Sequence, residues 1–246
     1  MASPPQRPAE ADRQLWFSPP DSPGIRRRAL TRERVVAEAL EIISTSGAGA
    51  LGMRALAARL GVVPAALYRY VRSKDQLCDL VVDEVLAEVD FDTGHDLVWT
   101  EHVKVLASRL RAVLEEHPGI AAMLKTRDPL GPHSLALAEA LLAALQQSGM
   151  PGQMTAPAFW LVHDYAVGFA LSDRTTVNEQ RVHDAATRHQ LHEFFRSLPA
   201  DQFPVLADLG EHVWADDRDR RFRSGLDTIL TGLQASTDAR PSTTLG

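Results

Sequence analysis

Residues 53–74 read MRALAARLGVVPAALYRYVRSK, and this stretch predicts two short helices joined by a tight turn. In the first helix, Leu56 and Leu60 lie four residues apart and therefore share one face. Gly61 suits the turn, because glycine adopts positive φ angles without a steric penalty. Pro64 suits the first position of the second helix, where its fixed φ fits and its missing N–H is not needed. The stretch therefore predicts a helix-turn-helix.

The second helix, predicted over residues 64–71, has an exposed face that burial cannot stabilise. Leu67 and Val71 share the buried side, which leaves two tyrosines and an arginine outside on a very short helix. In a helix-turn-helix the second helix lies in the major groove of DNA, where arginine binds guanine and tyrosine hydroxyls bind phosphates. The predicted DNA contacts in this stretch are Arg54, Pro64, Ala65, Ala66, Tyr68, Arg69, Tyr70 and Lys74. The alternative is an ordinary helical hairpin with a solvated basic face.

The same stretch resembles the DNA-binding domain of the tetracycline-repressor (TetR) family. The family pattern LA..LGVS...LY.HV..K..L is matched by Leu56-Ala57, Leu60-Gly61-Val62, Leu67-Tyr68, Tyr70-Val71, Lys74 and Leu77, and the match is dense over residues 30–80. One departure is Val63, which stands where the family usually has a capping polar side chain, at a cost of about 1 kcal/mol. The resemblance implies an all-α fold: an N-terminal three-helix helix-turn-helix DNA-binding domain and a larger helical C-terminal ligand-binding and dimerisation domain.

The charge distribution agrees with a DNA-binding head on a separate body. The net charge of −6 alone argues against a nucleic-acid partner. Residues 24–75, however, hold ten lysines and arginines against four acidic residues, whereas residues 76–246 hold fourteen against twenty-five. A basic head is attracted to DNA phosphates, whereas an acidic body is repelled by them, and this orients the head towards the DNA.

Composition and the N-terminal segment complete the predicted layout. Residues 1–23 contain six of the fifteen prolines and are predicted to be a disordered tail. The head is assigned to residues 24–75, the body to 76–236 and a flexible tail to 237–246. Arg26, Arg27 and Arg28 are predicted to lie along the minor groove or the phosphates; the alternative is a solubilising basic patch. Thr31 is a plausible N-cap of the first helix and is counted among the DNA contacts.

The remaining chain is predicted to be helical throughout. A first helix stops before Gly47, and Ser73 caps a connecting helix that bridges head and body. Later helices are predicted at residues 99–117, 120–126, 133–148, 155–172, 181–197 and 217–233, with a proline-punctuated stretch before the last. No alternation typical of β-strands occurs. The connecting helix predicted over residues 74–89 is where a ligand signal would pass from body to head.

Two body helices have the apolar patterns of a dimer interface. Paired across a two-fold axis, the helices at 155–172 and 217–233 would form a four-helix bundle, and a dimer would place two heads about one DNA turn apart. The C-terminal sequence RFRSGLDTILTGL also resembles the last helix of the tetracycline-repressor subgroup. The predicted interface residues are Val167, Phe222, Leu226, Ile229, Leu230 and Leu233. The alternative is that both helices belong to the core of a monomer.

The body also carries a candidate ligand pocket. Asp164 lies in an otherwise apolar helix, where a carboxylate must be paired or line a cavity. Asp164 has three possible roles: it lines a ligand pocket, belongs to a hydrogen-bond network at an interface, or acts as a catalytic carboxylate. The family resemblance implies an inducer pocket whose occupation releases DNA, although it does not imply tetracycline as the ligand. The residues predicted to line it are Trp99, His102, Val103, Leu106, Met123, Leu137, Leu141, Trp160, His163, Asp164 and Phe169.

The sequence therefore predicts a ligand-responsive repressor that binds a palindromic operator as a homodimer and is released by a small hydrophobic effector. The alternatives are a DNA-binding dimer without an effector and a helical enzyme acting on a small molecule. No motif predicts catalysis, a cofactor or a metal site. The single cysteine, Cys78, and the lack of a long apolar run or signal-peptide pattern lead us to expect a cytoplasmic protein without a membrane partner.

Overall fold

The computed structural model describes residues 30–94, 96–127, 130–172, 185–214 and 218–238. These residues form helices and connecting turns and no strand, so the predicted all-α fold is confirmed. The helices are α1 Arg32–Ser46, α2 Met53–Leu60, α3 Pro64–Leu67, α4 Lys74–Leu86, α5 Trp99–Glu116, α6 Pro118–Leu124, α7 Pro132–Gln146, α8 Gly152–Leu171, α9 Ala185–Arg196, α10 Pro204–Trp214 and α11 Arg218–Asp238, with a 3₁₀ turn at Ala48–Ala50.

The head consists of α1, α2 and α3, with α2 in contact with α1 and α3, and α1 in contact with α4. Thr31 caps α1, as its sequence position predicts: Arg34 N–H donates to Thr31 Oγ1 at 3.2 Å. Leu56 and Leu67 are completely buried in the small core that these helices share. Apolar burial of this kind holds short helices that would not be stable alone.

The corner between α2 and α3 is fixed by two backbone hydrogen bonds. Gly61 has a left-handed conformation, φ 68° and ψ 33°. Its N–H donates to the Ala58 carbonyl at 3.2 Å, and Val62 N–H donates to the Ala57 carbonyl at 3.0 Å. This is the Schellman arrangement, which satisfies helix carbonyls at a glycine terminus. The predicted glycine turn is therefore present.

The helix α3 is shorter than predicted. It ends at Leu67, not at Val71, and the next three residues form a turn. The reason is a shared acceptor: the Leu67 carbonyl receives both Tyr70 N–H at 2.9 Å and Val71 N–H at 3.1 Å. A bond to the residue three positions back tightens the last turn. Val63 gives α3 no side-chain cap, as expected from its chemistry.

The connecting helix α4 is packed against both parts of the chain. Ser73 caps it, with Gln76 N–H donating to Ser73 Oγ at 3.0 Å. Leu77, Val81 and Val85 are completely buried at helical spacing. The helix contacts α1 in the head and α5, α6 and α7 in the body. It ends at Leu86 and is followed by turns up to Val89, so the predicted helix is about one turn too long.

The body has α5, α7 and α8 in mutual contact, with α11 against α8 and α5. Most predicted helix boundaries in this part agree within a few residues, but two predictions are wrong. The proline-punctuated stretch contains a helix, α10, because Pro204 occupies its first position, where a missing N–H is tolerated. The last helix extends to Asp238, so residues 237 and 238 do not belong to a flexible tail. Residues 1–29 and 239–246 lie outside the described residues.

A carboxylate from α4 caps the N-terminus of α7. Asp83 is buried and accepts hydrogen bonds from His133 N–H at 3.1 Å, Ser134 N–H at 2.8 Å and Ser134 Oγ at 2.9 Å. It also lies 3.0 Å from His133 Nδ1. A Cβ added at Gly131 would lie 2.2 Å from the Asp83 carboxyl carbon, so only glycine fits there. A negative charge at a helix N-terminus satisfies free N–H groups and the helix dipole.

Candidate nucleic-acid interface and ligand cleft

The corner around α3 presents an uncovered surface. Tyr68 is 53% exposed and Val63 is 67% exposed, although both are large and apolar or amphipathic. Arg69 and Lys74 are exposed beside them. Tyr70 is half-buried and packs against the core, so its ring contributes to the packing of the corner. Neighbouring aromatic and aliphatic side chains that remain exposed beside basic residues are found at binding sites.

Three basic side chains at this surface are available for a partner. Within the described chain, Arg54, Arg69 and Lys74 make no ion pair, whereas Arg59, on the same short helix as Arg54, pairs with Glu38. Exposed cations without an ion pair are suited to contacts with phosphates and base edges. The corner therefore combines exposed rings with positive charge that the protein does not neutralise.

The other predicted DNA contacts occupy different positions. Pro64 and Ala65 are exposed and Ala66 is half-buried at the start of α3. The Thr31 hydroxyl already accepts a hydrogen bond as the cap of α1. Arg26, Arg27 and Arg28 lie outside the described residues.

A cleft of about 210 Å³ lies in the body. It opens where α4, the loop after α6, α7 and α8 meet. The residues that line it are Leu86, Leu124, Arg127, Leu130, Ser134, Leu135, Leu137, Ala138, Phe159, Trp160 and His163. Mostly apolar walls with a few polar groups are typical of small-molecule sites.

An aromatic cluster from α8 forms one wall of the cleft. The ring centroids of Phe159 and Trp160 lie 5.0 Å apart at 73°, and those of Phe159 and His163 lie 5.7 Å apart and nearly parallel at 22°. Trp160 is 47% exposed, so the described residues leave about half of this side chain uncovered. Flat, polarisable surfaces of this kind favour a planar ligand.

Arg127 joins this cleft to the start of α4. Its Nη1 donates to Asp79 Oδ1 at 2.8 Å and to the Asp75 carbonyl at 3.2 Å, while its Nη2 bonds the Asp75 carboxylate. The hydrogen bond to Asp79 is the largest influence that raises the pKa of Arg127 above its ordinary value. Lys74, a candidate DNA contact, directly precedes Asp75.

The structure brings three of the predicted pocket residues to the cleft: Leu137, Trp160 and His163. Several others are in the core or make different contacts. Val103, Leu106 and Leu141 are buried among apolar side chains, with Met123 half-buried beside that core. Trp99 Nε1 donates to Gln234 Oε1 at 3.2 Å, and the His102 ring bonds the Thr93 hydroxyl. Phe169 packs edge-on to Phe222 with centroids 5.2 Å apart.

Asp164 is paired with the buried His163 and does not line the cleft. Its side chain is 74% exposed, because it lies on the outer side of α8, with His163 Nδ1 at 3.2 Å. The sequence interpretation also missed most of the lining from α6 and α7. Phe159 had the clearest signal, since it adjoins Trp160 on the same helix.

Four of the predicted dimer contacts belong to the core of the single chain. Val167, Phe222, Leu226 and Leu230 are at most 2% exposed, because α11 turns this stripe towards α8 and α5. Tyr165 stacks on Phe222 with centroids 5.4 Å apart, and its hydroxyl donates to the Phe222 carbonyl at 3.1 Å. These four side chains are therefore core residues of the single chain and not contacts available to a second copy. Ile229 and Leu233 are half-buried at the edge of the same core.

Within the described ranges, no group of three or more histidine, cysteine or acidic side chains is placed to hold a metal ion. None of the described helices has the length and hydropathy needed to span a bilayer.

Comparison with known proteins accounts for both parts of this architecture. The sequence profile described as "Bacterial regulatory proteins, tetR family" matches residues 35–81. The profile described as "Tetracyclin repressor-like, C-terminal domain" matches residues 93–237. The chain belongs to the TetR family. It is therefore a DNA-binding transcriptional regulator, and the exposed α3 corner is its helix-turn-helix.

Individual TetR-family relatives match over most of their length. An HTH-type transcriptional regulator of Saccharopolyspora erythraea is 31% identical over 224 residues, 90% of this chain and 92% of the relative. The HTH-type transcriptional repressor DrrR1 of Streptomyces coeruleorubidus is 32% identical, over 83% of this chain and 77% of the relative. The TetR-family protein ActR of Streptomyces coelicolor, solved in complex with (S)-DNPA, is 34% identical with a TM-score of 0.75, over 85% of this chain and 100% of that one. ActR is also known in complex with actinorhodin, with 35% identity and a TM-score of 0.73 over 85% and 99% of the two chains.

Proposed function

We propose that this TetR-family protein is a homodimeric repressor, acting in the cytoplasm, that binds a short palindromic operator and releases it when a small, largely apolar molecule enters the cleft. The observation that carries the proposal is the pair of uncovered surfaces joined by one helix. The α3 corner lies at one end of α4, and Leu86, at the other end, lines the cleft.

The operator contacts are assigned to the unpaired groups of the α3 corner. Arg69 is placed at a guanine edge, because arginine binds guanine with two hydrogen bonds in the major groove. Tyr68, Arg54 and Lys74 are placed on phosphates. The exposed Ala65 lets the start of α3 approach thymine methyl groups closely. Arg26 to Arg28 are proposed to contact the neighbouring minor groove or backbone.

The effector is assigned to the cleft of α8 and α7. Release of DNA is supported by position, since Leu86 and the Arg127 ion pairs connect the cleft to both ends of α4. A ligand that binds one arrangement of α4 better than another shifts the population of heads that fit the operator. The relatives have properties of the same type. DrrR1 is named as a repressor, and ActR has been solved in separate complexes with two small molecules.

The second copy is proposed to pack on the outer faces of α8 and α11, not on their buried stripes. Leu161 on α8 is 48% exposed and shares a face with Asp164 and Gly168. On α11, the exposed Ser224, Thr228 and Thr231 form a neighbouring face that a second helix can approach closely. Two such pairs would form a four-helix interface about a two-fold axis.

A DNA-binding dimer without an effector is the alternative that the cleft makes less favourable. Such a protein needs only a filled body core. Here Leu130, Leu135 and Trp160 remain between 44% and 51% exposed around a cavity of about 210 Å³, which a body used only for dimerisation has no reason to keep.

The proposal is tested by selecting genomic DNA fragments on the full chain and then releasing them. We expect recovery of one inverted repeat, and complete release of that fragment by at least one compound that leaves the protein unmodified. Recovery of DNA with no common sequence would contradict the repressor assignment. Chemical conversion of the releasing compound would instead indicate an enzyme.

A further inference from the structure

We infer that the effector is a planar aromatic acid whose anionic group binds Arg127 and competes there with Asp75 and Asp79 of α4. This inference rests on the proposed function and assigns the chemical class of its ligand. Among the described residues that line the cleft, Arg127 is the only lysine or arginine. The volume of the cleft, its charge and the hydrogen bonds of the guanidinium support this ligand class.

The volume and the walls of the cleft suit a flat ligand with one or two rings. A cavity of about 150 Å³ holds a benzene molecule, so about 210 Å³ holds one ring with a substituent. The parallel rings of Phe159 and His163 and the edge-on Trp160 form a wall of three aromatic side chains. Because Trp160 is half exposed, a second ring would reach the mouth of the cleft and cover it.

The charge of Arg127 is already balanced by Asp75 and Asp79, so an anionic ligand must compete with these carboxylates. The other polar side chains among the described lining residues are Ser134, whose hydroxyl donates to Asp83, Trp160 and His163. A neutral apolar ligand would cover the Nε–H of Arg127 without offering it an acceptor. A carboxylate or phenolate on the ring would instead form charge-assisted hydrogen bonds with it.

Arg127 has hydrogen-bonding capacity left for such an anion. Its two terminal nitrogens bond Asp75 and Asp79, while its Nε–H donates to none of the described residues. An incoming anion can therefore bind the Nε edge first and then draw the guanidinium away from α4. Asp75 lies in the first turn of α4, next to Lys74, so loss of this ion pair frees the helix end that adjoins the DNA-binding corner.

The first experiment compares 2-naphthoate with 2-naphthamide, two probes with the same rings that differ in charge. Binding to the full chain is measured by calorimetry and by Trp fluorescence. We expect the naphthoate to bind at least about tenfold more tightly. Arg127→Gln should remove that advantage and leave 2-naphthamide within about twofold, and Arg127→Lys should restore part of it. Arg109→Gln is the matched control: Arg109 is similarly exposed and paired with Asp90, away from the cleft, and its loss should change neither affinity.

The second experiment removes the competing carboxylate. Asp79→Asn should increase the affinity for 2-naphthoate by about two- to fivefold, because Arg127 is then less occupied. If Arg127 has only a structural role, Asp79→Asn should instead weaken binding of 2-naphthoate, because Asp79→Asn and Arg127→Gln would then disrupt the cleft in the same way. In the wild-type chain, 2-naphthoate but not 2-naphthamide should increase hydrogen exchange of the amides in the first two turns of α4.

The inference is overturned if the two probes bind equally, if neither binds at about millimolar concentration, or if Asp79→Asn weakens binding as Arg127→Gln does. The proposed function would survive each of these results, provided that the chain still selects an inverted repeat and some other compound releases it. A chain that selects no DNA sequence but binds 2-naphthoate through Arg127 would refute the repressor and retain the acid site.

Discussion

At the scale of single residues, Arg69 and Lys74 can contribute to a DNA complex in different ways. Arg69 follows α3 in the corner that we propose enters the major groove, where a guanidinium can bind guanine. Lys74 begins α4, where an ammonium group acts as a point charge towards phosphate. Both are exposed and without an ion pair in the described chain, so removing either changes no internal contact of that kind. Their variants therefore report on DNA and not on folding.

Arg69→Ala should relax sequence preference. We expect a loss of about 1–3 kcal/mol on the selected operator, and a much smaller loss on an operator in which the contacted guanine is replaced. Titration of both DNA duplexes with wild type and variant gives this difference directly. An equal loss on every duplex would move Arg69 from base contact to phosphate contact.

Lys74→Ala should weaken binding to all sequences to a similar extent. Each phosphate contact removed lowers the slope of log affinity against log salt concentration by about one. Affinities measured over a salt series provide the test, with Arg59→Ala as the control, because Arg59 is already paired with Glu38. An unchanged slope for Lys74→Ala would exclude it from the contacts.

Exposure in the head was predictable from sequence, whereas exposure of single polar residues in the body was not. The exposed side of the α3 corner follows from Leu67 and Val71, which the spacing of the predicted helix assigns to the interior. Asp164 illustrates the limit. Its apolar neighbours suggested burial, yet a helix that is apolar on most sides can still turn one carboxylate outward if a partner or solvent lies there.

At the scale of secondary structure, α4 is held to the body by Asp83 and Arg127. Asp83 supplies the cap that α7 lacks in its own sequence, since Gly131 has no side chain to offer. Arg127 reaches back to the first two turns of α4. Asp83 is buried, whereas Arg127 lines the cleft. This difference supports a structural role for Asp83 and is one basis of the ligand-sensitive role proposed for Arg127.

Asp83→Ala should lower the free energy of unfolding by about 1–3 kcal/mol. The substitution leaves the first N–H groups of α7 buried without an acceptor. Urea unfolding followed by circular dichroism measures the change. Glu84→Ala, at the exposed neighbouring position, is the control and should stay within about 0.5 kcal/mol of wild type. Equal stability of the two variants would show that the Asp83 cap is dispensable.

Element boundaries were predictable where one residue controls them locally. Thr31, Gly61 and Ser73 each mark a helix end by their own chemistry, and each was assigned correctly. The helix α10 was missed because its prolines were interpreted as breakers, although Pro204 begins the helix. The lining from α6 and α7 depends on how four helices meet, and such tertiary contacts have no period in the sequence.

At the scale of the whole molecule, the proposed binding of a palindromic operator requires two copies with both heads on one face of the DNA. The single chain already buries Phe222 and Leu226, so a dimer must use side chains that remain outside. Leu161 is the large apolar residue on the outer face proposed here for α8. The sequence pattern predicts the buried stripes of α8 and α11 as such an interface, because periodicity does not distinguish a chain's own core from a partner's.

Leu161→Arg should convert the dimer to monomer and reduce operator affinity by at least about tenfold, because each half-site is then bound separately. Sedimentation velocity gives the mass, and circular dichroism checks that the fold is retained. Leu97→Arg is the matched control, since Leu97 is also exposed, at 38%, but lies before α5. A Leu161→Arg protein that remains dimeric would require another interface.

Hydroxyl-radical footprinting of the full chain on its selected operator tests the central claim most directly. The account predicts two protected patches related by two-fold symmetry, with centres about 34–36 Å apart along the duplex. Both patches should disappear when Tyr68 and Arg69 are replaced together by alanine in a protein that is still folded and dimeric. A single asymmetric patch, or a footprint unchanged by the double substitution, would contradict the assignment of the α3 corner as the surface that reads DNA.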